Sequence, residues 1–186
     1  MRVFVAVGLP DAVRREIVSA VGPLRKFRPP VAWVSEENLH LTLKFMGEVD
    51  PARLPAVRDA LDRVVSPFAT FSLESGGAGA FPSTRAPRIL WAGFREPLEL
   101  AGALQDNIEA ALSEAGFPRE PKAFHPHVTI GRVRGAVAPG WGDAFAASLA
   151  GRRFGAVPVA AVRLVESLLS PAGAHYRTIA DFPLSG

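Results

Sequence analysis

The sequence predicts an α+β fold of two pseudo-symmetric lobes, built of mostly antiparallel sheets with helices on their outer faces and a cleft between the sheets. Three observations predict it. Strand-like segments of period two are interleaved with amphipathic helical stripes in an irregular order, which disfavours an all-parallel sheet. The pattern His-apolar-Thr-apolar occurs twice, as His40-Leu41-Thr42-Leu43 and His127-Val128-Thr129-Ile130, 87 residues apart and so about half a chain. No linker, charge block or low-complexity run divides the chain, so residues 1–186 are expected to form a single two-lobed domain.

Residues 2–7 alternate and are rich in Val and Phe, as a strand requires. Pro10 and Asp11 start a helix whose apolar stripe is Val13, Ile17, Val21 and Leu24, and Arg28-Pro29-Pro30 ends it. Residues 31–34 read as a short strand and residues 39–46 as a strand of clear period two, closed by Gly47. Both tetrapeptides are expected late in their strands. A second helix starts near Asp50-Pro51, with Leu54, Val57, Leu61 and Val64 inward, and stops at Pro67. Residues 68–73 and 88–94 read as strands flanking a Gly/Ser/Pro-rich loop, residues 74–87, with Phe81 exposed among turn residues. A third helix covers residues 98–115 and Gly116 stops it. A strand over residues 123–133, a short helix over 141–149 and a hairpin of residues 159–169 and 174–179 around Ser170-Pro171-Ala172-Gly173 complete the chain.

The chain has 186 residues, 48% of them hydrophobic and 21% charged, enough to bury a core without disulfides or a structural metal. It contains no cysteine, which excludes thiol nucleophiles, cysteine-ligated zinc and iron–sulfur clusters. The N-terminal apolar segment is too short for a signal peptide, and no apolar run approaches the roughly 20 residues of a membrane span. A cytoplasmic, membrane-free protein is expected. The net charge of +3 leans weakly toward anionic partners, and arginine carries it, since Lys26, Lys44 and Lys122 are the only lysines. No heptad pattern or long apolar surface segment calls for a protein partner, so a monomer is expected.

On a strand, residues two apart share a face at about 7 Å, so His40 sits beside Thr42, and His127 beside Thr129. A pseudo-twofold between the halves brings two imidazoles and two hydroxyls to one cleft. Displacement at phosphorus needs a base for the incoming oxygen and an acid for the departing one, on opposite sides of the phosphate. Two imidazoles of ordinary pKa about 6.5 supply both, each step contributing roughly 10²- to 10⁴-fold. Threonine hydroxyls, short and stiff, can donate to the non-bridging oxygens where charge gathers. This chemistry uses no cofactor.

The stretch Trp33-Val34-Ser35-Glu36-Glu37-Asn38-Leu39-His40-Leu41-Thr42-Leu43-Lys44-Phe45-Met46-Gly47 and the later Phe124-His125-Pro126-His127-Val128-Thr129-Ile130-Gly131-Arg132 resemble the two-histidine phosphoesterases. Within them the chain is similar to the family of bacterial and archaeal RNA 2′,3′-cyclic phosphodiesterases, also called 2′-5′ RNA ligases. The likeness extends from residues 1–10 through Phe81-Pro82 and residues 88–91 to the closing hairpin from Glu166-Ser167 to Tyr176. The resemblance implies metal-independent hydrolysis of an RNA 2′,3′-cyclic phosphate to a 2′-phosphate end, acting on RNA or a small nucleotide. It implies His40 as proton donor to the departing 3′-oxygen, His127 as the acceptor that activates water, and Thr42 and Thr129 as phosphate ligands. It also implies base stacking by Phe45, phosphate contact by Arg132, and reversible 2′-5′ joining in which acid and base exchange roles between the two directions. Alternatives are another small cyclic or 2′-5′ phosphodiester substrate, or a non-catalytic module that binds RNA ends or nucleotides.

Phe45 and Arg132 stand five residues beyond the histidines and so have the opposite parity on a regular strand. A bulge near Gly47 or Gly131 restores them to the cleft face; without one, Phe45 is a core residue and Arg132 a solvated charge. Lys44 has the parity of Thr42, which makes it either a phosphate contact or a strand-end surface lysine. His125 and His127 have the His-x-His spacing of a metal pair, with no Asp or Glu inside the tetrapeptides. His175 is expected on the surface, and Phe81 either borders the substrate or anchors a loop.

Overall fold

The computed structural model describes residues 1–95, 97–170 and 173–186. The alternating N-terminal segment forms β1 (Arg2–Gly8), whose odd residues Val3, Val5 and Val7 enter the main core while Phe4 and Ala6 turn to the opposite face. α1 (Asp11–Arg25) buries Val13, Ile17 and Val21, and its terminal charges, Asp11 first and Arg25 last, complement the helix dipole. β2 (Val31–Trp33) and β3 (His40–Glu48) follow, then a 3₁₀ turn at Pro51–Arg53 started by the Asp50 carboxylate accepting from the Ala52 amide at 2.9 Å. α2 (Leu54–Val65) buries Val57, Ala60, Leu61 and Val65, with Val64 packed at the edge of the core.

The stretch expected as a loop over residues 74–87 is instead most of a long hairpin, β4 (Phe71–Pro82) and β5 (Pro87–Arg95). Its glycines conceal the strand pattern, and each has a structural reason. Gly77 takes φ +73° at a register shift between Ser75 and Ala78, and the Trp91 indole lies flat over Gly79, where a Cβ would stand 2.3 Å from its Cζ2. Phe81, expected to be exposed, is half-buried with its ring centroid 5.4 Å from that of Trp91.

α3 (Glu99–Glu114) ends at Gly116 in the left-handed region, where the Gly116 and Phe117 amides donate back to the carbonyls of Ser113 and Leu112. β6 (His127–Val133) begins four residues later than expected because Pro126 lacks the amide a ladder needs. α4 (Trp141–Leu149) falls on the expected residues, β7 (Arg153–Val159) fills a segment read only at its last residue, and β8 (Ala161–Ser170) and β9 (Gly173–Pro183) form the closing hairpin. Pro171 and Ala172 of its expected turn lie outside the described residues.

Among the described residues nine strands join one curled sheet in the order β7-β4-β5-β6-β3-β1-β8-β9, with β2 added to β6, and every pairing of strands is antiparallel. The two lobes, one of β1, β3, β8 and β9 and the other of β4 to β7, are thus joined through a narrow β3–β6 seam at Leu41 and Val128. Each lobe's first helix crosses to the other lobe: α1 follows β1 but packs on β7, while α3 follows β5 but packs on β3 and α2. The helices cover the convex side, where Leu41, Leu61, Leu104, Ile108, Ile130 and Leu164 are fully buried, and leave the concave side open.

Candidate active site

Both tetrapeptides open their strands, rather than standing late in them, and both strands then bulge at the same place. In β3 the partners of Ala6 and Val5 are Thr42 and Lys44, so Leu43 is the extra residue. In β6 the partners of Trp91 and Leu90 are Thr129 and Gly131, so Ile130 is the extra residue. One inserted residue inverts the alternation beyond it. Leu43 and Lys44 both turn to the buried helix side, Ile130 and Gly131 do the same, and Phe45 and Arg132 return to the concave face with the histidines and threonines. The parity that Phe45 and Arg132 lack on a regular strand is supplied by these two bulges.

Lys44, whose regular parity pointed to the cleft, is therefore buried on the opposite side. Its side chain is 1% exposed, and its Nζ donates to Glu109 Oε2 of α3 at 2.7 Å and to the Pro118 carbonyl at 2.9 Å. Glu109 also accepts from Gln105 and from the Glu120 amide, which satisfies the rest of its carboxylate. In the second lobe Gly131 takes the equivalent place and leaves room for β2, since a Cβ there would stand 2.7 Å from the Val31 side chain.

The pairing of Leu41 with Val128 sets His40 across from Thr129 and Thr42 across from His127. The two tetrapeptides are therefore related by a local twofold through that pair. The histidines are held alike. Nδ1 of His40 lies 2.7 Å from the Asn38 carbonyl, and Nδ1 of His127 lies 2.7 Å from the His125 carbonyl. A carbonyl only accepts, so each Nδ1 carries a proton and donates it, leaving Nε2 to gain or lose the mobile one.

Aromatic rings set the surroundings of both imidazoles. His40 stacks on Phe4 at 4.8 Å between centroids and meets the edge of Tyr176 at 5.2 Å. Phe81 meets His127 edge-on at 5.0 Å and His125 at 5.5 Å, while Trp91 supports His125 at 5.1 Å. Burial pushes His40 below the usual imidazole range, against the opposing pull of the Asn38 carbonyl, and a charge on His127 adds to the depression. Burial likewise lowers His127, against the opposing pull of the His125 carbonyl and with further lowering by charge on His125 and Arg132, and burial raises Tyr176.

His40, Thr42, Phe45, Thr129 and Arg132 line one cleft of about 540 Å³. Arg2 and Arg134 add positive charge to its wall, and among the described residues no carboxylate lines it. His127 stands just outside that wall, on the strand face it shares with Thr129. Phe45 is 56% exposed, an uncovered aromatic face beside the cleft. His125 and His127 have ring centroids 6.3 Å apart, and among the described residues no third His, Cys, Asp or Glu gathers with such a pair. His175 is exposed, as expected.

Several contributors were not singled out from the sequence. Asn38 uses its carbonyl to orient His40 and its side-chain amide to reach the Ala174 carbonyl at 2.7 Å, tying the site to β9. Phe4 and Tyr176 cage His40 from β1 and β9. The alternation of Phe4 with Val3 and Val5 carries no sign of which face will be the cleft. For His127, the signal was the run His125-Pro126-His127, where Pro126 precludes a ladder bond and frees the preceding carbonyl.

Residues 7–91 and 95–176 match the model of the LigT-like phosphoesterase family. The chain is 35% identical over 182 residues to the RNA 2′,3′-cyclic phosphodiesterase of Archaeoglobus fulgidus, covering 98% of this chain and 99% of that one. It is 34% identical over 183 residues to the protein of the same name from Geobacillus stearothermophilus, 98% of this chain but only 57% of that longer one. The crystal structure of TT0787 of Thermus thermophilus superposes with a TM-score of 0.83 at 31% identity, covering 100% of this chain and 99% of that one. No described helix is long and apolar enough to cross a membrane. Family match and paired His-x-Thr geometry agree, and the chain belongs to the LigT-like phosphoesterases.

Proposed function

We propose that residues 1–186 act as one two-lobed unit that hydrolyses RNA 2′,3′-cyclic phosphate ends to 2′-phosphomonoesters. The observation that carries the reading is the local twofold: two imidazoles with Nδ1 pinned to a carbonyl two residues back, each beside a threonine hydroxyl, with His40 and both threonines in the wall of one arginine-lined cleft and His127 at its margin.

The cyclic phosphate sits between the lobes, its non-bridging oxygens accepting from Thr42 and Thr129 and its charge opposed by Arg132. The terminal base stacks on Phe45. His127 Nε2 takes a proton from water as its oxygen attacks phosphorus. The bond from phosphorus to the 3′-oxygen breaks, and His40 Nε2 gives its proton to that oxygen, leaving a 3′-hydroxyl and a 2′-phosphate. Solvent then restores the proton to His40 and removes the one on His127. A ribose 5′-hydroxyl in place of water gives a 2′-5′ linkage by the same steps, and reversal exchanges the two histidines. Both lobes' groups come from one chain, so a monomer in the cytoplasm suffices for the reaction.

The test is hydrolysis of a short RNA ending in a 2′,3′-cyclic phosphate, with the 2′- and 3′-phosphate products separated. A 2′-phosphate product supports the reading. A 3′-phosphate product reverses the assignment of the departing oxygen, and binding without turnover points to a module that holds RNA ends.

A further inference from the structure

A second concavity of about 600 Å³ opens beside the histidine cleft, and the two share Arg132 and Arg134 in their walls. Its other charged residues are Arg85, in the turn between β4 and β5, and Arg88, near the start of β5. Among the described residues it is lined by no carboxylate. The four arginines come together through the sheet: Ile89 pairs with Arg132, which sets Arg88 at the end of β6, and the Arg134 amide donates to the Pro30 carbonyl just beyond.

What marks these four arginines is that they gather in one concavity with no carboxylate among the described residues of its lining, whereas several other surface arginines are neutralised. Arg14, Arg63, Arg152, Arg163 and Arg177 each bond a carboxylate, to Asp11, Glu114, Glu16, Asp181 and Glu166 respectively. Arg85, Arg88, Arg132 and Arg134 are exposed, and among the described residues none of them forms an ion pair. Like charges gathered in a concavity without counter-charges raise its potential and favour an anion with several charges at intervals. Arg132 lies on β6 and Arg134 just past its end; two residues of extended chain span roughly 7 Å, a spacing that suits successive groups of a chain better than one small anion.

We propose that this groove binds the backbone phosphates of the nucleotides immediately upstream of the cyclic phosphate. The inference rests on the reading of the histidine cleft as the cyclic phosphate site. A 2′,3′-cyclic phosphate closes the 3′ end of a strand, so the chain leaves the cleft only in the 5′ direction, and Arg132 and Arg134 form the passage between the two concavities. The terminal base must be unpaired to stack on the open face of Phe45, which favours a single strand. Phosphate contacts position the strand without reading its sequence.

The test compares wild type with the Arg85→Ala/Arg88→Ala variant, both residues lying outside the histidine cleft, on a nucleoside 2′,3′-cyclic phosphate and on a six-nucleotide RNA ending in one. Expected is unchanged kcat/KM on the mononucleotide and a loss of roughly tenfold on the RNA, through KM. The salt dependence of log kcat/KM on the RNA should flatten by about 1.4, two phosphate contacts at about 0.7 each. Equal losses on both substrates, or none on the RNA, overturn the groove. If wild type hydrolyses neither substrate, the cyclic phosphate reading fails separately, and fluorescence anisotropy with the labelled six-nucleotide RNA decides the groove: weaker binding by the variant upholds it, and equal or absent binding overturns it.

Discussion

His40 and His127 are matched in backbone tether yet differ in surroundings, and that difference bears on their roles. The aromatic cage of Phe4 and Tyr176 encloses His40, while His127 has Phe81 on one side and positive charge from Arg132 nearby. Both imidazoles are pushed below their ordinary value of about 6.5, so the free enzyme at neutral pH holds both rings neutral. The acid must then be protonated on binding, which an anionic phosphate favours. The kcat/KM profile, which reports the free enzyme, is expected to be bell-shaped with its maximum below pH 6.5. The kcat profile should hold its alkaline limb at higher pH, because bound phosphate stabilises the imidazolium. Rate measurements from pH 4 to 9 on the cyclic phosphate RNA check both; a kcat/KM maximum above pH 7 contradicts the depressed values.

At the scale of elements, the paired bulges are what make the tetrapeptide and the residue five beyond it a single unit. The buried Lys44–Glu109 pair fastens the first bulge to α3. Lys44→Met leaves the Glu109 carboxylate buried without its cation and should cost about 3–5 kcal/mol in denaturant unfolding, while Lys44→Met with Glu109→Leu should recover most of that. A single variant as stable as wild type contradicts the pairing. On the second lobe, Gly79→Ala drives a methyl into the Trp91 ring, which supports His125 and so the carbonyl that orients His127. A stability loss of about 1–3 kcal/mol and a lowered kcat are expected. The strand alternation of Leu39 to Met46 made the histidine and threonine positions legible, but a bulge leaves no mark in a sequence unless a glycine stands at it. Gly131 is such a mark and Lys44 is not, which is why Lys44 pointed the wrong way. The glycines at 76, 77 and 79 had the opposite effect, disguising β4 as a loop because their reason is a bulge and the close approach of the Arg152 carbonyl and the Trp91 ring rather than a turn.

For the whole molecule, the repeat of His-apolar-Thr-apolar across half the chain was enough to place two lobes about one cleft, and the helix stripes fixed where the convex side is covered. Joining of the lobes through the single β3–β6 seam, and the crossing of α1 and α3 between lobes, depend on contacts far apart in sequence and were not legible. Burial of two imidazoles also sets how the folded state responds to acid. Their folded values lie below the unfolded value of about 6.5, so the unfolded chain binds more protons below that pH and stability falls as pH drops from about 6.5 through the folded values. Thermal unfolding of wild type from pH 8 to 4 should show this loss, and a variant with both histidines replaced by glutamine should lose less over the same window. A wild type whose stability is unchanged down to pH 4 contradicts the assignment of buried neutral rings.

The most direct measurement is turnover of a 2′,3′-cyclic phosphate RNA in EDTA by wild type, His40→Ala, His127→Ala and the double variant. Two histidines acting on one phosphate predict a loss of about 10²- to 10⁴-fold for each single variant and a double variant far less impaired than the product of the two. Near-normal turnover by either single variant, or loss of wild-type activity in EDTA, contradicts the paired-histidine account.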